Sequence, residues 1–491
     1  MKFKPEYKEA LSYTGKYKSI PVSTEILSDV KTPVQVLKLL KETGHHCFLL
    51  ESAEKSQKWG RYSFLGFNPS LEISAVNGKL TVIDENGEKE EFETKNPEEY
   101  IRKVIEDNIS PDFDYLPSFS GGLVGYFSYD FIKYSEPELN LDALDVEGFK
   151  DLDLMFFDKV IAFDNVKQKI ILIANVKTDN FEENYENAVL TLSEISNLIK
   201  NNFPKKSYKG KLTSKFKPLF NKEEFCKMVE KAKNYIKEGD IFQVVLSNRL
   251  EAGYEGSLLD TYRYLRTTNP SPYMFYFSSE DLEIAGASPE TLVKLINGEV
   301  YTFPLAGTRP RGRTEKEDMQ LEIELIQDKK ELAEHNMLVD LGRNDLSKIS
   351  KFGTVEVEKY MSVEKFSHVM HIGSTVRGEI LDNKNAIDAI YAVLPAGTLS
   401  GAPKIRAMEI INSLENNKRG IYGGAIGYID LRGNLDTCIG IRIAYKKNNK
   451  VFVRSGAGIV YDSIPENEYQ ETLNKARAVI NALELSEKED L

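Results

Sequence analysis

Residues 422–460, YGGAIGYIDLRGNLDTCIGIRIAYKKNNKVFVRSGAGIV, contain three strand-like runs divided by short polar turns at Arg432–Asn434 and Lys446–Asn449. Turns this short reverse the chain, so successive runs pair antiparallel; a parallel neighbour would need a long crossover, usually a helix. No strand–helix–strand alternation occurs here. The segment therefore belongs to an antiparallel meander and argues against a doubly wound parallel fold.

Similar runs recur between residues 46 and 180: CFLLES, RYSFLGF, GGLVGYFSYD, and DLMFFDKVIAFDNVKQKIILIANV, a hairpin pattern whose turn falls at Asp164–Gln168. Helical patterns near 33–43, 97–107 and 183–200 accompany them. Residues 201–220 are Lys-rich, contain two prolines and lack periodicity, which suggests a linker between an N-terminal unit (1–200) and a second α+β unit (221–491). The second unit opens with Phe225, Met228, Val229, Ala232 and Ile236 on one helix face, stops at Gly239, and continues as the strand-like IFQVVLSNRL.

With 491 residues the chain is long enough for a large core, and 64 basic against 76 acidic residues leave a net charge of −12. No basic stripe exists to hold a phosphate backbone, so nucleic acid is excluded as the natural partner. Three scattered cysteines, Cys47, Cys226 and Cys438, have neither metal-ligand nor disulfide-framework spacing. The N-terminus MKFKPEYKEA lacks an apolar signal core, and no apolar run approaches the ~20 residues of a membrane span. A cytoplasmic protein without membrane association is expected.

Two acid pairs stand out, Glu331/Glu334 in KKELAEHNMLVDLGRND and Glu468/Glu471 in ENEYQETLNKARAVI. A spacing of three residues on a helix puts both carboxylates on one face. Leu332, Met337, Leu338 and Leu341 would bury the first helix; Leu473, Ala476, Ile480 and Leu483 would bury the second. Four converging acids repel unless a cation neutralises them, and an all-oxygen set suits Mg²⁺. Four solvated acids are the alternative, because 29% of the chain is charged.

In the middle run of the meander, alternation sends Thr437, Ile439, Ile441 and Ile443 to one face and Asp436, Cys438, Gly440, Arg442 and Ala444 to the other. A guanidinium among small residues leaves room for a carboxylate ligand gripped bidentately, or else forms a buried ion pair with Asp436. Ser455-Gly456-Ala457-Gly458 reads as a turn whose N–H groups approach an anion, or as a plain tight turn. PLAGTRPRG (304–312), with Arg313, is either a ligand lid or a solvated basic turn. His371, beside His368 in a strand-like stretch, is a catalyst or a hydrogen-bonded core residue; His335 reads as structural. No Ser-His-Asp order, nucleophile elbow, P-loop or GxGxxG occurs, which disfavours covalent and nucleotide chemistry.

Taken together, LLES (49–52), GDIFQVVLSNR (239–249), NPSPYMFYF (269–277), GASPE (286–290), FPLAGTRPRGR (303–313), KELAEHNMLVDLGRNDL (330–346), VMHIGSTVRG (369–378), PAGTLSGAPK (395–404), YGGAIGY (422–428), LDTCIGIR (435–442), GAG and ETLNKARA (471–478) resemble the chorismate-utilising enzymes, and within them the anthranilate synthase component I group. The resemblance runs from about residue 20 to the C-terminus. It implies an α+β fold of large, mainly antiparallel β-sheets packed face to face and flanked by helices, the N-terminal unit interleaved with the catalytic one.

The implied reaction converts chorismate and ammonia to anthranilate and pyruvate, the first committed step of tryptophan biosynthesis. Mg²⁺ is implied on Glu334 and Glu471, with Glu331 and Glu468 close by. Chorismate contacts are implied at Gly307, Thr308, Tyr422, Arg442, Gly456, Ala457 and Gly458. His371 is implied as the base for the ring proton and Thr398 as a positioning hydroxyl; Glu331, among like charges, is the candidate acid for the departing hydroxyl. Gln243 stands where water-adding relatives have an activating lysine, and Ala306 where aminodeoxychorismate synthases carry the lysine of a PIKGT motif. Thr398 replaces an alanine usual in the isochorismate group. Ser52, Pro272, Tyr273 and Met274 match the family's pocket for feedback inhibition by L-tryptophan.

No amidotransferase signature occurs in these residues, so a separate glutamine amidotransferase subunit (component II) and a hetero-oligomer are implied. The alternatives are a relative that makes aminodeoxychorismate or stops at aminodeoxyisochorismate, and a tryptophan sensor without catalysis.

Overall fold

The structure is a computed structural model, and it describes residues 1–44, 46–53, 60–365 and 369–488. Among these, the strands form two sheets of fourteen and twelve strands, and every paired strand is antiparallel to its neighbour. Aromatic and aliphatic side chains of both sheets, including Phe48 and Phe275 of the larger and Val124, Met155 and Ile426 of the smaller, fill one cluster between them. Phe48 and Phe157 meet there edge to face at 4.7 Å. The sheets are therefore packed face to face, as expected.

Helices cover the outer faces. Pro33–Thr43, Phe181–Asn201, Leu259–Thr268 and Pro465–Lys488 pack on the larger sheet, and Pro97–Glu106, Lys329–Ser347 and Ala386–Val393 on the smaller. Each fully buried Leu, Ile or Phe in these layers contributes roughly 1.5–3 kcal/mol of hydrophobic stabilisation. In the larger sheet the early strand Cys47–Glu51 pairs with Tyr273–Ser278, and in the smaller Gly122–Phe127 pairs with Ala425–Asp430. Both sheets thus mix early and late segments of the chain. Within 201–220, Gly210–Leu212 and Lys217–Pro218 pair with the long strand Gln243–Gly256.

The meander is not one sheet. Ala425–Asp430 and Leu435–Ile439 pair in the smaller sheet, whereas Ile443–Lys447 and Lys450–Ile459 pair in the larger. The run expected as one middle strand breaks at Gly440–Arg442, so alternation does not carry through it. Ile439 packs in the outer core of the smaller sheet and Ile443 between the sheets. Gly440 permits the crossing because a Cβ there would lie 2.3 Å from the Ile421 carbonyl oxygen. The run 153–176 behaves alike: Leu152–Phe157 belongs to the smaller sheet, and the hairpin Lys159–Asp164/Lys169–Lys177 to the larger.

Candidate active site

Arg442 sits at that crossing with φ of 52°, a backbone conformation that costs roughly 1–2 kcal/mol for a residue with a side chain. Its carbonyl accepts from Ala287 N–H, which ties the crossing to the Glu283–Ser288 strand. The guanidinium lines a cavity of about 530 Å³ and makes no hydrogen bond or ion pair with any described residue. Asp436, its alternative partner, is engaged elsewhere, with Lys294 at 3.0 Å and the Tyr273 hydroxyl at 2.8 Å. A largely buried cation without a protein partner is a site for an anion.

The same cavity gathers most of the sequence-expected residues. Ala306, Gly307 and Thr308 reach it from Leu305–Pro310, and His371 from the neighbouring Val369–Glu379 strand. Thr398 comes from the short 3₁₀ turn Gly397–Leu399, Tyr422 from the loop before Ala425, and Gln243 from the start of Gln243–Gly256.

Ser455–Gly458 is not a turn but the end of the strand Lys450–Ile459, with Gly456 opposite Ser247 and Gly458 opposite Val245. The partner on its other edge, Ile443–Lys447, stops at the Ala444–Val453 pair. One edge of the glycine stretch is therefore left without a strand. Gly456 and Gly458 line the cavity, whereas the Ala457 side chain turns away into the apolar cluster around Val229 and Ile411; any ligand contact there would come from its backbone.

His371 is held in one tautomer. Its Nδ1 lies 2.8 Å from the Gly307 carbonyl oxygen and 3.1 Å from Thr308 Oγ1. A carbonyl only accepts, so Nδ1 carries the proton and Nε2 the lone pair. Burial holds its pKa below the usual histidine value, against the Gly307 bond and with help from the nearby Arg442 charge. The ring is thus a neutral base. His335 is buried, bonds Ser374 Oγ through Nε2 at 2.7 Å and lies outside the cavity lining, a core histidine.

Both acid pairs face the cavity from helices Lys329–Ser347 and Pro465–Lys488. Among the described residues, however, no three His, Cys, Asp or Glu side chains stand together as a group that could hold a metal ion. All four carboxylates nevertheless line one cavity, and basic side chains share their neutralisation. Lys475 Nζ pairs with Glu471 at 2.6 Å and donates to the Gly456 carbonyl at 3.1 Å, while Arg309 lies 3.5 Å from Glu331. Burial first, then the neighbouring carboxylates, raises the pKa of Glu334 and of Glu468. Oxygen-only donors that resist sharing their negative charge fit a hard divalent cation.

Ser52, Pro272, Tyr273 and Met274 lie outside this cavity lining, where Cys47–Glu51 meets Tyr273–Ser278; Met274 faces Glu51 in register, and Ala53 N–H bonds the Ser271 carbonyl. His368 is outside the described residues.

The family described as chorismate binding enzyme matches residues 45–481. The chain belongs to this family. It is 46% identical over 494 residues to anthranilate synthase component 1 of Acetivibrio thermocellus, covering 98% of this chain and 99% of the relative. It is 44% identical over 491 residues to that of Aquifex aeolicus, with 98% of each covered. The crystal structure of anthranilate synthase component I from Streptococcus pneumoniae TIGR4 superposes with a TM-score of 0.77 at 40% identity, over 92% of this chain and 98% of that one. The menaquinone-specific isochorismate synthase of Escherichia coli shares the fold, with a TM-score of 0.70 at 19% identity over 97% and 99%.

Sequence reasoning assigned no role to Glu290, although it closes the GASPE string. Its carboxyl lines the cavity, accepts from Thr398 Oγ1 at 3.0 Å, and is pushed by burial up to about 7, against the Thr398 bond and the Arg442 and Lys475 charges. A Glu after Ser-Pro between two strands carries no periodic signal; only the fold brings it to Thr398. Lys330 and Lys475, also in the lining, were missed for the same reason.

Proposed function

We infer that this chain binds chorismate in the cavity and converts it with ammonia to anthranilate and pyruvate. The observation that carries the reading is Arg442, a largely buried guanidinium without a hydrogen bond or ion pair among the described residues, facing acids and glycines across one cavity. Chorismate is a dicarboxylate. Arg442 and the free-edge N–H groups of Gly456–Gly458 would take one carboxylate, with Tyr422, Gly307 and Thr308 bounding the rest, and the acid-lined end would take the other through Mg²⁺. Glu334 and Glu471 would hold that ion, with Glu331 and Glu468 beside them; when bound it offsets carboxylate repulsion and polarises the substrate.

In the first step ammonia attacks the ring carbon beside the ring carboxylate, the double bonds shift, and the C4 hydroxyl leaves as water with a proton from the enzyme. Glu290 suits that donor better than Glu331, because a carboxyl raised to about 7 keeps a substantial protonated fraction near neutral pH whereas Glu331 is ion-paired with Arg309. In the second step His371 Nε2 removes the proton from the aminated carbon, the C–O bond to the enolpyruvyl group breaks, and pyruvate and anthranilate result. Gln243 and Ala306 leave the cavity without the lysines of water-adding and aminodeoxychorismate-forming relatives, which favours ammonia and anthranilate.

Glutamine would be used only through a separate amidotransferase subunit. L-Tryptophan would inhibit from the Ser52–Pro272–Tyr273–Met274 junction, where an early and a late strand pair and a ligand can bias their fit. No helix of the described residues is long and apolar enough to cross a membrane, in keeping with a cytoplasmic setting. The test is to supply the purified chain with chorismate, ammonium and Mg²⁺ and follow anthranilate fluorescence and product mass. Accumulation of aminodeoxychorismate, or no consumption of chorismate, would overturn the reading.

A further inference from the structure

At the cavity floor lie three charged side chains each no more than 2% exposed, Arg454 in the lining and Glu415 and Arg419 behind it. Glu415 accepts from Ser247 N–H at 2.7 Å and Oγ at 3.0 Å, from Arg419 Nε at 3.0 Å and Nη2 at 2.5 Å, and from Arg454 Nη2 at 2.7 Å. One arginine and one glutamate would make a neutral pair. The second guanidinium leaves a net positive charge in the interior, which is costly unless its donors are satisfied.

Arg454 also donates from Nε to Ser247 Oγ at 2.8 Å and from Nη1 to Asn417 Oδ1 at 2.9 Å, and other donors of the two arginines go to backbone carbonyls. Arg419 Nη1 donates to Leu399 O at 2.6 Å and Nη2 to Val245 O at 2.7 Å, while Arg454 Nη1 donates to Lys418 O at 3.0 Å. Leu399 follows Thr398 directly, and Val245 is the register partner of Gly458. The Arg419 guanidinium also lies 5.8 Å from the Tyr422 ring and 4.6 Å from that of Tyr129. Tyr422 OH in turn crowds Gly456, where an added Cβ would approach it to 2.8 Å.

These site segments are short and flanked by glycines. Thr398 rides on a three-residue 3₁₀ turn between Gly397 and Gly401, and Tyr422 precedes Gly423-Gly424. Leu399 and Tyr422 pack in the core of the smaller sheet, but apolar contacts are non-directional and cannot fix which way a backbone carbonyl points. A planar fork with fixed donor directions can.

We propose that Arg419 is a positioning residue for the reaction: by gripping the Leu399 and Val245 carbonyls from behind, it sets Thr398 against Glu290 and backs Tyr422 toward Gly456. The proposal rests on the reading above that Thr398 and Glu290 act in turnover. Arg419 does not itself touch substrate, and its removal acts through Thr398.

Arg419→Lys keeps the charge and loses the fork. The variant should lose about 10- to 100-fold in kcat, the scale of an ångström-sized misplacement, with the KM for chorismate within about threefold of wild type. Combined with Thr398→Val, it should cost little more than Thr398→Val alone, because both disturb one contact. A lowered Tm with kcat unchanged, or losses that multiply fully in the double variant, would overturn the proposal. If Arg419→Lys does not fold, Glu415→Gln enters the same cycle, since it slackens the clamp on Arg419 while keeping an acceptor; full multiplication with Thr398→Val again overturns it. A wild-type chain without chorismate turnover fails the functional reading, whereas an active wild type with independent variants fails this proposal alone.

Discussion

Thr398→Val tests the proton donor directly. Burial pushes the Glu290 carboxyl up to about 7, and the Thr398 hydroxyl, donating at 3.0 Å, is the first of the smaller effects that oppose it. Valine keeps the branched shape and removes the donor. A hydrogen bond to a charged group contributes about 1.5–3 kcal/mol, and one pKa unit corresponds to about 1.36 kcal/mol. Glu290 should therefore titrate about one to two pH units higher in the variant. The protonated acid is the active form, so turnover is full below the Glu290 pKa and declines as pH rises through it. Raising that pKa carries the alkaline limb of the kcat profile upward. The acid limb, set by protonation of His371 below its depressed pKa, should stay in place. Anthranilate fluorescence, read across pH with chorismate and free ammonia saturating at every point, gives both limbs. An alkaline limb that stays put, or moves down, would refute the assignment of Glu290 as the acid.

Arg442→Met should raise the KM for chorismate at least about 30-fold, equivalent to roughly 2 kcal/mol of charge-assisted bonding; steady-state kinetics with an unchanged KM would remove Arg442 from substrate binding. His371→Asn should let the aminated intermediate accumulate while anthranilate formation collapses, visible by mass spectrometry of quenched reactions; undiminished anthranilate would exclude it as the base. Glu415→Ala strands two buried guanidiniums without their counter-charge, at a cost of about 3–5 kcal/mol. A urea unfolding midpoint equal to wild type would contradict the described buried network.

Helix Lys222–Glu238 ends at Gly239, whose φ of 85° is the left-handed cap that the sequence suggested. The hairpin turn near Asp164–Gln168 and the helical placement of both acid pairs were legible for the same reason: each depends on neighbours within a few residues. By contrast, the run around Arg442 looked like one continuous strand, and only the structure divides it between two sheets. The period-2 pattern continues across the crossing because both sheets bury their faces, so nothing local marks the change. The expected glycine turn at Ser455–Gly458 failed likewise, since glycine beside an unpaired strand edge and glycine in a turn read identically along the chain.

Residue order by itself determined an antiparallel α+β protein, the two acid pairs on helix faces, and the set of strings that identify a chorismate-utilising chain. The tertiary structure alone decided which groups share a cavity. Glu290 reaches Thr398 across 108 positions, and Arg419 reaches the Val245 carbonyl across 174. Periodicity reports the side of an element that faces inward, a short-range property of the backbone; the partner met on that side depends on how distant segments pack, and so do the burial that raises Glu290, the tautomer of His371 and the placement of the Arg442 guanidinium in the cavity lining.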